Sequence, residues 1–253
     1  MIAKYLSQKV WSNLFSYLEG FSGIYVKNRR KTKRFLSGVF WILRTGAQWR
    51  ELPKFYGKYR SVHKRYDAWQ RQGVWKGLFE HFSQDENKKG EWVLIDSTIV
   101  RAHPCSVGLK RDTQDQEALG RSKGGFTTKI HALVDALGKP LDFILTPGQR
   151  SDVTQAPALI SGIENAKILA DKGYDADSFR AQIKEQNCKA VIPPRRNRKE
   201  LLPYDTALYK ERNLIERFFR NLKNFRRIFS RFEKTSQNYL AFIHLASTLL
   251  RIK

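Results

Sequence analysis

Four polar side chains near the carboxyl-terminal end, Tyr209, Arg212, Glu216 and Lys223, fall on one narrow arc when the chain is wound at about 100° per residue. Opposite that arc the spacing places Leu214, Phe218, Leu222, Phe225 and Phe229, an apolar stripe wide enough to dock a helix on a core. A single carboxylate held out among a tyrosine and cations suits a metal ligand beside a phosphate-binding surface. The same spacing also makes Arg212 and Glu216 an ordinary i, i+4 pair worth about 0.2–0.5 kcal/mol, so their chemistry depends on the residues upstream.

Two aspartates supply that company. Asp96 follows Val93-Leu94-Ile95 near the end of one predicted strand, and Asp171 follows Ile168-Leu169-Ala170 at the end of another. Each also has a plain structural reading, Asp96 as a turn carboxylate and Asp171 as a helix N-cap. Asp175 is the more natural cap for the helix expected after it, which leaves Asp171 without a local structural job. If the two strands are neighbours, both aspartates emerge at one sheet edge and a docked helix brings Glu216 across them. Three converging carboxylates repel one another unless divalent cations bind between them. Mg²⁺ suits such a set because it takes oxygen ligands and completes its shell with water and phosphate oxygens. Two such ions support in-line displacement at phosphorus, the chemistry of nucleases and strand transfer. No Ser/His/Asp grouping, phosphate-binding glycine-rich loop or H-E-x-x-H helix offers a rival site. Asp135, Asp142 and Asp152 read as turn residues, with Asp152 left open as a neighbour of the site. His103 and Cys105 read as loop residues, and Cys105 and Cys188 as free thiols in a reducing cytoplasm.

The surrounding composition points to a polyanionic partner. A chain of 253 residues with 41% hydrophobic residues can bury a real core, and its formal net charge of +23 attracts nucleic acid over long range. The cations recur in Lys27 to Arg34, Arg60 to Arg71, Arg195 to Lys199 and Arg217 to Arg231 instead of forming one tail. A membrane role is disfavoured, since no stretch of about 18 apolar residues and no signal-peptide pattern occurs.

The elements that must position the carboxylates divide near residue 85. Val10 to Glu19, Arg34 to Arg44, Ser61 to Gln70 and Val74 to His81 show helical recurrence, with Phe35, Val39, Phe40 and Ile42 facing inward. The third of these helices carries Lys64 and Arg65 among other cations and resembles a recognition helix of a helix-turn-helix, or equally a phosphate-gripping one. The polar segment Ser83 to Gly90 marks the boundary. Strands are expected over Trp92 to Thr98, Phe126 to Asp135 and Leu141 to Thr146, the last two joined by the turn Ala136 to Pro140. Helices over Val153 to Ile163 and Asp175 to Glu185 then alternate with strands Lys167 to Ala170 and Lys189 to Ile192. This order fits a mixed sheet flanked by helices. Ile99 to Gly125 is expected to be a long loop, its Arg101, Lys110, Arg111, Arg121 and Lys123 forming a phosphate-gripping arm.

These residues resemble the DDE transposases of bacterial insertion sequences, in the group numbered four and five. Tyr209, Arg212, Glu216 and Lys223 match that group's signature Y-x2-R-x3-E-x6-K without a gap. Leu94 to Thr98 looks like the family's first-aspartate strand and Ala170 to Asp175 like its second-aspartate turn. Gly124 to His131, Gly148 to Asp152 and Trp49 to Pro53 are also similar, so the resemblance covers nearly the whole chain. It implies an RNase H-like catalytic domain over 86–253, preceded by a helical DNA-binding domain over 1–85. It further implies that Asp96, Asp171 and Glu216 coordinate two Mg²⁺ ions, with Mn²⁺ as a substitute, and that Tyr209, Arg212 and Lys223 hold double-stranded DNA. Arg220, Lys64 and Arg65 are expected to add DNA contacts. The spacings of 75 residues from Asp96 to Asp171 and 45 from Asp171 to Glu216 leave no room for a large insertion domain. The expected function is binding of an element's terminal inverted repeats, cleavage to free 3′-hydroxyls and joining to target DNA, in a cytoplasmic, nucleoid-associated dimer or larger assembly. A transposase-derived DNA-binding protein without catalysis, or a plain metal-dependent nuclease, are the alternatives.

Overall fold

The computed structural model describes residues 6–83, 91–107, 116–122, 124–199 and 202–252. Most of the expected boundary segment Ser83 to Gly90, and Lys110, Arg111 and Lys123 of the expected arm, lie outside the described residues. The chain groups into two compact units, one of residues 1–84, 102–109 and 221–253, the other of 85–101 and 110–220.

The first unit is helical. Helices α1 (Gln8–Gly20), α2 (Arg29–Thr45), α3 (Tyr59–Arg71) and α4 (Val74–Ser83) follow the four expected segments, each longer by a few residues. Ser7 and Asn28 cap α1 and α2 by accepting the amides of Val10 and Lys31. Phe35, Val39, Phe40 and Ile42 are buried as expected. The same unit contains the helix at the end of the chain, Ser236–Arg251, of which Ala241 to Leu249 are all buried. Its Phe242 stacks on Tyr66 at 4.5 Å, and the Tyr66 hydroxyl donates to the Asn238 carbonyl at 2.7 Å. Burial of these rings supplies the main drive for this packing.

The second unit is built on a mixed sheet. Strands β1 (Trp92–Ala102), β2 (Gly120–Ser122), β3 (Gly125–Asp135), β4 (Pro140–Pro147), β5 (Lys167–Leu169) and β6 (Lys189–Val191) carry it. Antiparallel β4-β3-β1 is continued by parallel β5 and β6, and β2 pairs with the start of β3. With β2 and the two-residue strand Ser230–Arg231 set aside, the order 3-2-1-4-5 of the remaining five strands, with only the first three antiparallel, is the RNase H-like arrangement. Ile99 to Ala102 and Gly120 to Ser122 are strand, so the expected loop from Ile99 to Gly125 is shorter than its polarity suggested. The expected helix over Val153 to Ile163 reduces to a 3-10 turn at Asp152–Thr154 and helix α5 (Ala156–Leu159). Helix α6 (Asp177–Glu185) follows β5. One face of the sheet, with Val93, Ile95, Leu133, Ile168 and Ala170, is buried with Ala156 and Leu159 of α5 and Phe179 and Ile183 of α6.

The run near the carboxyl-terminal end starts with α7 (Thr206–Tyr209), tightens into a 3-10 turn at Lys210–Arg212 and continues as α8 (Asn213–Lys223). Tyr209 and Asn213 both keep right-handed helical angles, so the run is continuous. It stops at Lys223, where the Asn224 and Phe225 amides turn back to Asn221 and Leu222. The expected stripe through Phe225 and Phe229 is therefore interrupted. Phe229 is 64% exposed at the end of α9 (Arg226–Phe229), and the buried positions of α8 are Ile215, Phe218, Phe219 and Leu222.

Gly46 closes α2 at φ +68°, donating its amide to Ile42, and a Cβ there would stand 3.0 Å from that of Arg226. Gly46→Ala should destabilise the chain by roughly 1–3 kcal/mol through strain and contact. Gly20→Ala, which meets open space at a helix end, should be near neutral or mildly stabilising. Urea midpoints of the two variants check this, and equal midpoints would contradict it.

Candidate active site

Strand alternation decides which side chains meet. Strands β1 and β5 pair in parallel with Leu94 opposite Leu169. Two residues further on, Asp96 and Asp171 therefore emerge side by side, on the face opposite Val93 and Ile95. On that face Asp96 is registered with Ala132, which is registered with Phe143. Helix α8 covers it, Phe218 stacking on Phe143 at 5.9 Å, and Leu214 lies against Gly138 in the β3-β4 turn.

This docking carries Arg212 to the aspartate. Its Nη2 donates to Asp96 Oδ2 at 2.8 Å and to Glu216 Oε1 at 3.4 Å, and Nη1 reaches the Tyr209 hydroxyl at 3.4 Å. Asp96 Oδ1 accepts the Ser97 amide at 2.7 Å. Burial pushes the Asp96 carboxyl above its usual range and the Asp171 charge adds to this, while Arg212 and the Ser97 amide oppose it. Arg212 stays protonated, its pKa raised despite burial by its bonds to Asp96 and Tyr209. The Glu216 side chain is 63% exposed, against 16% for Asp96.

Asp171 has a local structural job after all. Its Oδ1 accepts the Gly173 amide at 2.7 Å and caps the 3-10 turn Lys172–Tyr174. Asp175 does not cap the following helix. The N-cap of α6 is Ala176, and Asp175 is buried as an acceptor for Arg180, Arg198 and the Arg195 amide. Those bonds outweigh desolvation and hold its carboxyl down at about 2.

Three further residues, Asp152, Lys129 and Tyr174, group around Ser97, the residue after Asp96. Asp152 Oδ1 accepts the Ser97 hydroxyl and pairs with Lys129 Nζ, both at 2.7 Å. Tyr174 is 1% exposed, and burial together with Asp96, Asp152 and Asp171 raises its hydroxyl pKa. Periodicity alone could not single out Lys129, a lysine 7% exposed in a strand that also buries Thr127, Thr128 and His131.

The remaining expected residues are distributed differently. Arg220 is exposed one turn past Glu216, and Lys223 ends α8 half-buried with its pKa lowered by burial. Lys64 is exposed on α3. Arg65 turns inward: its guanidinium stacks over Phe35 at 4.4 Å and Trp69 at 4.9 Å and donates to the Tyr25 carbonyl at 3.0 Å. These contacts hold the guanidinium, and the residue remains partly exposed. The donor chemistry of Asp96, Asp171 and Glu216, all carboxylate oxygen, fits a hard divalent cation. As placed, Arg212 stands between Asp96 and Glu216, and among the described residues no three His, Cys, Asp or Glu side chains are close enough to hold one ion.

The model of the transposase DDE domain matches residues 87–251, and that described as "Putative transposase of IS4/5 family" matches residues 6–79. The chain belongs to the DDE-domain transposases of insertion sequences. It is 44% identical over 130 residues to "Putative transposase for insertion sequence element IS6501" of Brucella ovis, an alignment covering 50% of this chain and 99% of the relative. The corresponding protein for element IS402 of Burkholderia cepacia is 32% identical over 135 residues, covering 49% of this chain and 62% of the relative. Among solved structures, the piggyBac transposase synaptic complex with hairpin DNA aligns with TM-score 0.43 and 11% identity, over 67% of this chain and 43% of that one. A pre-cleavage Mos1 transpososome aligns with TM-score 0.28 and 10% identity, over 86% of this chain and 77% of that one.

His131, opposite Ser97 in the pairing of β1 and β3, bonds Thr146 Oγ1 at 2.8 Å, and burial lowers its pKa to about 4. It is neutral in the fold but takes up a proton below about 6.5 when unfolded. Its contribution should be intact above pH 6.5 and lost progressively as pH falls to about 4. Urea midpoints at pH 7 and pH 5 should differ less in His131→Gln than in the native chain; an unchanged difference would contradict this.

Proposed function

We propose that this transposase binds the terminal inverted repeats of its element, cleaves to free 3′-hydroxyls and joins them to target DNA. The observation that carries this reading is the register of β1 and β5, which sets Asp96 beside Asp171 while Arg212 ties Asp96 to Glu216. Water is the first nucleophile: its oxygen forms a bond to phosphorus as the bond to the 3′ oxygen breaks. The freed 3′-hydroxyl is the second, bonding to a target phosphorus as the target's own 3′ oxygen leaves.

Asp96, Asp171 and Glu216 would hold two Mg²⁺ ions, or Mn²⁺ in their place, and the bound pair would activate the attacking oxygen and stabilise the leaving one. Tyr209, Arg212, Arg220 and Lys223 present donors and cations along one helical run, suited to the phosphates flanking the cut. Lys64 and Arg65 add phosphate contacts from α3, the latter steadied by its stacking on Phe35 and Trp69. In this reading residues 1–85 form the DNA-binding domain and 86–253 the catalytic one, and the protein acts in the cytoplasm on the nucleoid. Pairing two element ends requires at least a dimer. Among the described residues no helix is long and apolar enough to cross a membrane.

A strand-transfer assay with the element's own end DNA, run with Mg²⁺ or with chelator, tests the chemistry. Joined product should require metal and vanish in Asp96→Asn. Glu216→Gln should abolish cleavage while end binding stays within a few fold, because a ligand is lost and no cation is. Full activity in Glu216→Gln would remove that residue from the site, and cleavage without joining would favour the plain nuclease. End binding should weaken steeply between about 50 and 200 mM salt, as several neutralised phosphates release counterions.

A further inference from the structure

Asp175 lies four residues beyond Asp171, with its side chain 1% exposed. Its Oδ1 accepts Arg180 Nε at 2.7 Å, and its Oδ2 accepts Arg198 Nε at 2.9 Å and the Arg195 amide at 2.7 Å. The segment after β6 is thereby fastened to the turn after β5. Arg180 strengthens the joint by donating to the Ile192 carbonyl at 2.8 Å, and Arg198 by donating to Asp177 at 2.6 Å.

The fastened segment acts back on the turn. Although Arg195 is exposed, its guanidinium is turned onto two carbonyls, Gly173 at 2.7 Å and Lys172 at 3.3 Å. These belong to the turn whose Gly173 amide fixes Asp171 Oδ1. The turn is tight: a Cβ on Gly173 would stand 2.8 Å from that same oxygen. A carboxylate serving only the core would be satisfied by Arg180 and Arg198. The Arg195 bracket instead closes a circuit from Asp175 through Arg195 to the peptide units that orient Asp171.

We propose that Asp175 is a positioning residue for Asp171, acting through Arg195 to hold the 171–175 turn in the conformation that aims the Asp171 carboxylate. The metal half of this statement rests on the reading of Asp171 as a metal ligand. Groups that hydrogen-bond a metal ligand typically change metal affinity or activity by about 10–100-fold, and Asp175, one step further out, is expected at the lower end.

The test uses the full chain as Asp175→Asn and Arg195→Ala, the second removing an exposed side chain in case the first fails to fold. Amide hydrogen exchange is followed by mass spectrometry over peptides covering the turn and the sheet. Mn²⁺ affinity is titrated by electron paramagnetic resonance without DNA, and end-DNA binding is measured alongside. Both variants should speed exchange across the turn by about 10-fold and weaken Mn²⁺ by about 10-fold, with sheet exchange and end binding within two-fold of native. Unchanged exchange in the turn overturns the proposal. So does a loss of protection spread evenly over the sheet, because Asp175 would then support the fold as a whole. If the native chain takes up no Mn²⁺, the metal reading of Asp171 fails, and the exchange result still decides whether Asp175 braces the turn.

Discussion

The parallel pairing of β1 with β5 is the constraint on which the site depends. Side chains alternate along a strand, so a slip of one residue would turn Asp171 to the opposite face from Asp96. What holds the register is apolar: Val93, Ile95, Ile168 and Ala170 are buried with α5 and α6 on one face, while Leu94 and Leu169 are buried on the other. The polar pair emerges only where that apolar run ends. The hydrophobic pattern that stabilises the sheet is thus also what brings two carboxylates together, at a cost that neighbouring cations must offset.

Cations meet several of the buried carboxylates directly. Arg212 meets Asp96, Lys129 meets Asp152, and Arg180 with Arg198 meets Asp175. None of these is an exposed surface pair of small consequence, because one partner in each is largely buried and a lone buried charge is expensive. Glu216 differs. It is mostly exposed and touches Arg212 at 3.4 Å, a looser contact than the 2.8 Å from Arg212 to Asp96. In the proposed reaction it is the carboxylate freest to change partner when a phosphate enters.

The sequence made the strand ends and the signature helix legible because both depend on local patterns. Val-Leu-Ile before Asp96 and Ile-Leu-Ala before Asp171 are short apolar runs, and Arg212 and Glu216 share a face by spacing alone. Long-range pairing was less legible. An apolar helical stretch such as Ser236–Arg251 shows that it must be buried but not that it groups with the first 84 residues. The same limit hid the inward turn of Arg65, whose stacking on Phe35 and Trp69 is invisible in a run of cations. It also misassigned Asp175: capping preference is a local rule, whereas two partly buried arginines arriving from α6 and from beyond β6 form a tertiary constraint that overrides it.

The helical run tightens at Lys210–Arg212 without interruption. A uniform α-helix would advance about 100° per residue, whereas a 3-10 turn advances about 120°, so the tightened turn rotates Tyr209 relative to Arg212 and Glu216. The apolar residues Ile215, Phe218, Phe219 and Leu222 fix the rotation of α8. Asp96 fixes where the Arg212 guanidinium must lie. The three residues of tighter winding precede α8, so the adjustment falls on the approach to Arg212 and the run stays continuous. The offset of Tyr209 from the face shared by Arg212 and Glu216 is therefore a feature of the winding that spacing at about 100° per residue does not show.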